Sequence, residues 1–132
     1  MAAGVLTENG FIDSTYRLSE VQGSFSSEKE NYNKRTMLNI RDSDGTLIII
    51  PKTPIPAYIT DGTVLTIKYC QNSRKPFFFI VLSRTMDFQI TKFHNFIKKN
   101  NISILNIAGP RESTCPGIFK VSLELIKRLI MT

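Results

Sequence analysis

Three basic residues fall where a bound anion would need them. Lys52, Arg84 and Arg111 each stand just beyond an apolar run that reads as a strand: residues 46–50, 77–82 and 103–107. Ligands of open α/β sheets bind outside the carboxyl ends of the strands, so these cations can converge on one phosphate or carboxylate. Two segments add polar groups at the same edge. Asp61-Gly62-Thr63-Val64-Leu65-Thr66 opens a predicted helix. Gly62 lets a ligand approach the backbone, the first N–H groups of a helix point outward, and Thr63 and Thr66 bring hydroxyls. The same residues also make an ordinary helix start capped by Asp61, whose carboxylate repels an anion. In the second segment, Asn106 to Ser113, Gly109 and Pro110 shape a turn while Arg111 and Ser113 offer donors. Arg111 and Glu112 paired with neighbours in a structured loop is the plainer reading. The candidate binding set is Gly62, Thr63, Thr66, Gly109, Arg111 and Ser113, with Lys52 and Arg84 as outer cations.

Other reactive residue types have plainer explanations. His94, the only histidine, lies on a predicted helix beside Phe93, away from any strand end. Cys70 and Cys115 are far apart and have no metal-ligand spacing, so no zinc site is expected. Cys115 does sit in the loop near the presumed crevice, as a side chain with no assigned chemistry. Asp42 and Asp44 precede a strand, which suits a cap or turn better than acid–base work.

The positioning elements alternate. Ser27 caps a helix beginning Glu28-Lys29-Glu30, with acids in its first turn, running to about Asp42. Residues 46–50 form a strand buried on both faces and closed by Pro51, followed by a Pro-rich loop to Thr60. A helix from Asp61 ends near Arg74-Lys75, and Pro76 opens the strand 77–82. The next helix takes Asp87 to about Asn100 with Ile90, Phe93 and Ile97 on one face. After the strand 103–107 and a loop to Gly117, a last helix turns Val121, Leu125, Ile126 and Leu129 inward. Strands alternating with helices imply right-handed crossovers and a doubly wound parallel sheet with helices on both faces. Residues 1–25 read as an irregular N-terminal segment of a single domain spanning 1–132.

Length and composition bound the function. At 132 residues with 42% hydrophobic and 21% charged residues, the chain suits one folded domain and not a disordered one. No apolar run approaches the roughly 18 residues of a membrane span. The first residues lack a basic region and an apolar core, so no signal peptide is expected, and a reduced, cytoplasmic protein follows. The net charge of +6 invites nucleic acid. However, Arg74-Lys75, Lys98-Lys99 and Lys127-Arg128 all fall in predicted last helical turns, where cations complement the dipole. That scatter disfavours a nucleic-acid footprint.

Several motifs together carry a family resemblance. Arg35-Thr36, Asn39 and Arg41-Asp42-Ser43-Asp44-Gly45-Thr46-Leu47-Ile48 resemble the central signature of the putative molybdenum-cofactor carrier family. Gly62-Thr63, Leu65-Thr66 and Lys75-Pro76 are similar to its next helix and strand. Leu105 to Ser113 with Pro116-Gly117-Ile118 are similar to its closing motif, and Thr7-Glu8-Asn9-Gly10 with Tyr16-Arg17-Leu18 to an earlier segment. The resemblance implies a Rossmann-like α/β fold related to the SLOG and lysine-decarboxylase-like proteins. It also implies a phosphate-bearing ligand such as molybdopterin, the molybdenum cofactor, and a homo-oligomer. Two departures stand out: the family's first strand with its Ser-Gly-Gly-Gln-Thr-Gly turn is missing, as in an N-terminally shortened relative, and Asp61 replaces a glycine.

The expected function is therefore binding of an anionic, phosphate-bearing small molecule, with no membrane and no nucleic-acid partner. One alternative is an interaction or oligomerisation protein that has lost the ancestral pocket. A further alternative is a nucleotide-processing hydrolase of the related superfamily. Those enzymes use a glutamate after the glycine turn, and none stands near Thr63 or Thr66, so the balance is against an enzyme.

Overall fold

The computed structural model describes residues 2–7, 10–13, 28–59 and 62–131, with side chains from 33 to 59 and 62 to 130. Its centre is the strand β3 (Gly45–Ile50), buried along its whole length, as its β-branched apolar residues require. The strand β4 (Phe77–Val81) lies parallel to it on one side and β5 (Leu105–Ala108) parallel on the other. Among the described residues four helices accompany them: α1 (Glu28–Arg41), α2 (Gly62–Ser73), α3 (Met86–Lys99) and α4 (Ile118–Met131). The expected α/β architecture is present, with boundaries shifted by one or two residues. The caps expected at Ser27 and Asp61 lie outside the described residues.

The N-terminal expectation needs correction. Strands β1 (Ala2–Thr7) and β2 (Gly10–Asp13) form an antiparallel pair, and β1 runs antiparallel to β5. The sheet order is β2-β1-β5-β3-β4, so the sheet is mixed and not purely parallel. The cause is the open edge that β5 would otherwise present, since unpaired main-chain groups there favour a covering strand.

Alternate residues of each strand feed two different layers. Leu47, Ile49, Ile80, Leu105 and Ile107 meet Ile90 and Phe93 of α3 and Leu125 and Leu129 of α4. Ile48, Ile50 and Val81 face the other way, toward Ile67 of α2, and α1 packs against α2. One inward residue of α4 was misplaced by the sequence reading: Val121 is 48% exposed, while Ser122 is fully buried. The inward stripe is Ile118, Ser122, Leu125 and Leu129. Ile97 and Ile126 are half-buried against the same core.

The helix ends show why chain direction reverses where it does. Arg74 adopts a left-handed φ of 57° and the Lys75 N–H bonds back to the Cys70 carbonyl at 3.0 Å, ending α2 before Pro76. Asn101, at φ 50°, does the same after α3, with Ile102 N–H on the Ile97 carbonyl. The connection from β3 through α2 and the one from β5 through α4 leave on opposite faces. The carboxyl ends of these two neighbouring strands therefore bound a crevice, the place where open α/β sheets bind ligands.

Candidate functional site

Two strand ends meet closely at this crevice. Gly109, immediately after β5, is buried against β3, and a β-carbon there would lie 2.6 Å from the carbonyl oxygen of Ile49. Pro110 beside it is also buried, so the loop leaves the sheet in a fixed direction. Beyond it Arg111 and Ser113 are exposed, and the Arg111 carbonyl accepts from Thr114 and Cys115 N–H at 3.1 and 2.8 Å. Lys52 is exposed on the loop after β3. Lys52 and Arg111 thus sit on the two loops that flank the crevice.

The first turn of α2 is more internal than the sequence suggested. Gly62, Thr63 and Thr66 are buried, and the Thr66 hydroxyl donates to the Gly62 carbonyl at 2.8 Å within the helix. That donor is used locally, as threonines in helices commonly do. Thr63 is 1% exposed and also engaged.

The start of α4 already has an anion. The Glu112 carboxylate accepts from the N–H of Gly117 and, at 3.1 Å, from that of Phe119. These donors are the groups a helix N-terminus offers to a phosphate. Glu112 was read from sequence only as a partner for neighbours. Its five- and seven-residue spacings lie outside the capping box, which is why no local signal marks it.

Arg84 follows β4 and lies beside the loop after β3. Its guanidinium donates to the Thr53 hydroxyl at 2.9 Å, and it lines a groove of about 910 Å³ with Phe79, Phe88 and Lys92, running beside β4. Lys92 and Gln89 in this groove were not singled out from the sequence.

The opposite, amino edge is organised by charge as a structural device. Asp44 accepts from Ser103 and Ile104 N–H, both at 2.9 Å, and these bonds hold its carboxyl below the ordinary range. Lys75 donates to the carbonyls of Ser43 at 2.6 Å and Arg41 at 3.3 Å, so it serves the end of α1 and not its own helix. Lys98 and Lys99 occupy the last turn of α3 as expected. Arg128 lies in the last turn of α4 as expected and also pairs with Asp87 in the first turn of α3, while Lys127 lies before that last turn.

Buried polar groups gather on the α1–α2 side. The Asn106 amide donates to the Thr46 hydroxyl at 3.2 Å, and Thr46 also neighbours Cys70, whose thiol burial pushes up in pKa. Asn39, 1% exposed, has neither amide atom hydrogen-bonded. His94 stacks edge-on with Phe93 and takes no part in the crevice. Among the described residues no cluster of three metal-binding side chains exists, and no helix is long and apolar enough to cross a membrane.

Comparison with known proteins agrees with this architecture. A family model described as the circularly permutated YpsA SLOG family matches residues 1–130. Among solved structures, the chain is similar to the crystal structure of a "putative molybdenum carrier protein" from Syntrophus aciditrophicus SB. The TM-score is 0.64 at 33% identity, over 73% of this chain and 58% of the other. The chain thus spans less than two thirds of that protein's length. No curated protein matches.

Proposed function

The chain belongs to the circularly permuted YpsA SLOG family, and from that premise we propose that it is a binding protein for a phosphate-bearing small molecule of the molybdenum-cofactor type. The printed name of the similar crystal structure points the same way.

The observation that carries the reading is the crevice at Gly109. Adjacent parallel strands end there with connections on opposite faces, and exposed cations stand on both flanking loops. The fit to a phosphate is selective. The amides at the start of α4 do not suit it, since Glu112 holds them and would repel a second anion. The start of α2, with Gly62 at its first position, offers the remaining helix amides, next in sequence to an Asp61 carboxylate whose repulsion the nearby cations would have to outweigh. There Lys52 and Arg111 would supply countercharge, and Ser113 a hydroxyl. The ligand would supply the anionic group; the protein's part is to bind and orient it. Thr63 and Thr66 support the helix from the interior, and Arg84 lies outside this group. A homo-oligomer in the cytoplasm remains part of the proposal.

Equilibrium dialysis of the full chain against inorganic phosphate, molybdate and molybdopterin tests the reading. Saturable uptake of one of them supports it, and no uptake of any rejects it. The hydrolase alternative has less to rest on, because no glutamate lies in α2 and Glu112 is bound to main-chain donors.

A further inference from the structure

The strand β4 is an outer strand, and its free side has a definite pattern. Among the described residues only β3 pairs with it. The Thr46 N–H on the Pro76 carbonyl at 3.0 Å and the Leu82 N–H on the Ile50 carbonyl at 2.9 Å fix the phase of the ladder. In a parallel pair, alternate residues turn both main-chain groups to the same side. Phe78 and Ile80 therefore bond to β3, while Phe77, Phe79 and Val81 present theirs outward. Gln89 confirms the phase. Its side-chain amide accepts from Val81 N–H at 2.7 Å and donates to the Val81 carbonyl at 3.0 Å, as a neighbouring strand would. Gln89 thus closes the edge at Val81, and among the described residues the edge is open at Phe77 and Phe79.

The groove along this edge has a chemical character. Phe78, Phe79 and Phe88 give it aromatic walls, and Arg84 and Lys92 stand in it with no aspartate or glutamate among its lining residues. The Lys92 ammonium rests 4.6 Å from the centre of the Phe88 ring. Exposed apolar strand edges with free main-chain groups are sites for strand addition.

We propose that the outer edge of β4 takes a sixth strand: an extended acidic segment of a partner protein, paired through Phe77 and Phe79 and drawn in by Arg84 and Lys92. Charge selects this occupant over a second copy of the chain. From Arg74 to Arg84 a copy would offer the groove no carboxylate, and the residues flanking its own edge strand, Arg74, Lys75 and Arg84, are all basic. Like charges in such positions disfavour pairing. An acidic strand meets the same cations with attraction.

The test uses the full chain and fluorescein-labelled nonapeptides alternating valine with glutamate, read by fluorescence anisotropy. The acidic peptide is expected to bind about tenfold or more tightly than its lysine counterpart, roughly the effect of two partly exposed charges. Methylating every amide nitrogen of the peptide is expected to abolish binding, because it removes the main-chain donors without changing the charge. Gln89→Ala is expected to tighten binding by freeing the Val81 edge, and the pair Arg84→Glu with Lys92→Glu to reverse the charge preference. Should the charge-reversed variant not fold, the peptide series on the unaltered chain decides alone. Equal binding of methylated and unmethylated peptides overturns the proposal, as does no binding of the acidic one. A dimer in sedimentation that Phe79→Pro dissolves also overturns it.

Discussion

The α-carbon of Gly109 approaches the carbonyl of Ile49 so closely that a β-carbon would come within 2.6 Å of its oxygen. The obstacle is main chain of the central strand, which cannot swing aside as a side chain can. Gly109→Ala must part the carboxyl ends of β3 and β5, a form of overpacking that costs about 1–3 kcal/mol. A lower urea midpoint with an unchanged slope is the expected result; an unchanged midpoint means that the strands do not meet as described.

Glu112 predicts a graded series. Glu112→Gln keeps an acceptor for the start of α4 and loses the charge, whereas Glu112→Ala loses both. Stability should fall in that order, with about 0.5–2 kcal/mol lost for alanine, the usual range for a helix N-terminal cap. Removing the carboxylate also frees the helix start for another anion. Inorganic phosphate should therefore stabilise Glu112→Ala more than the unaltered chain in thermal denaturation.

These two residues mark the limit of what sequence reading reaches. The strand β3 was legible because Leu47 to Ile50 are continuously apolar and bounded by Gly45 and Pro51. Ile90 and Phe93 of α3 repeat at helical spacing, so their burial was equally plain. The strand β1 was not legible: Ala2, Ala3 and Gly4 carry no alternating bulk, and its partner β5 lies a hundred residues away. Val121 was misjudged because this helix also carries apolar residues on its exposed side, Phe119, Val121 and Leu123, so apolar character alone favoured Val121 over Ser122 for the inward stripe. In the site, sequence placed the cations by strand end, and Lys52 and Arg111 do stand exposed on the loops after β3 and β5. It could not see that Arg84 turns to Thr53, that Gln89 closes the edge of β4, or that Thr66 bonds within its own helix. Each depends on a contact set by the fold.

Asp44 gives a pH dependence. Two main-chain donors, from Ile104 and then Ser103, hold its folded pKa below the unfolded value near 3.9, and desolvation opposes them only in part. A depressed carboxylate contributes stability above its unfolded pKa and loses it as pH falls through the folded pKa. The stabilisation by Asp44 should thus be intact at about pH 5, begin to fall near pH 3.9 and be lost as the pH drops through the lower folded pKa. Asp44→Asn should lower stability at pH 6 and flatten the acid limb of the curve. Parallel acid limbs for both proteins would count against this role.

Cys70 and Cys115 should differ in reactivity. Cys70 is fully buried and desolvation raises its thiol pKa, with the Thr46 hydroxyl offsetting only part of the effect. Cys115 is partly exposed in the loop after β5. Brief iodoacetamide treatment at pH 8, read by peptide mass spectrometry, should label Cys115 and spare Cys70 until the chain is unfolded. Prompt labelling of Cys70 in the native state would show that the α2 layer is open.

The anion site at the crevice where β3 and β5 end is tested most directly by thermal denaturation with ligand. The full chain and its Arg111→Ala variant would be melted with rising molybdopterin, inorganic phosphate and nucleoside phosphates. A ligand present at a hundred times its Kd stabilises by about 2.7 kcal/mol, roughly 10 °C for a domain of this size. The predicted result is a concentration-dependent rise for at least one phosphate-bearing ligand that Arg111→Ala abolishes. No rise with any of them, or the same rise in both proteins, would contradict the site.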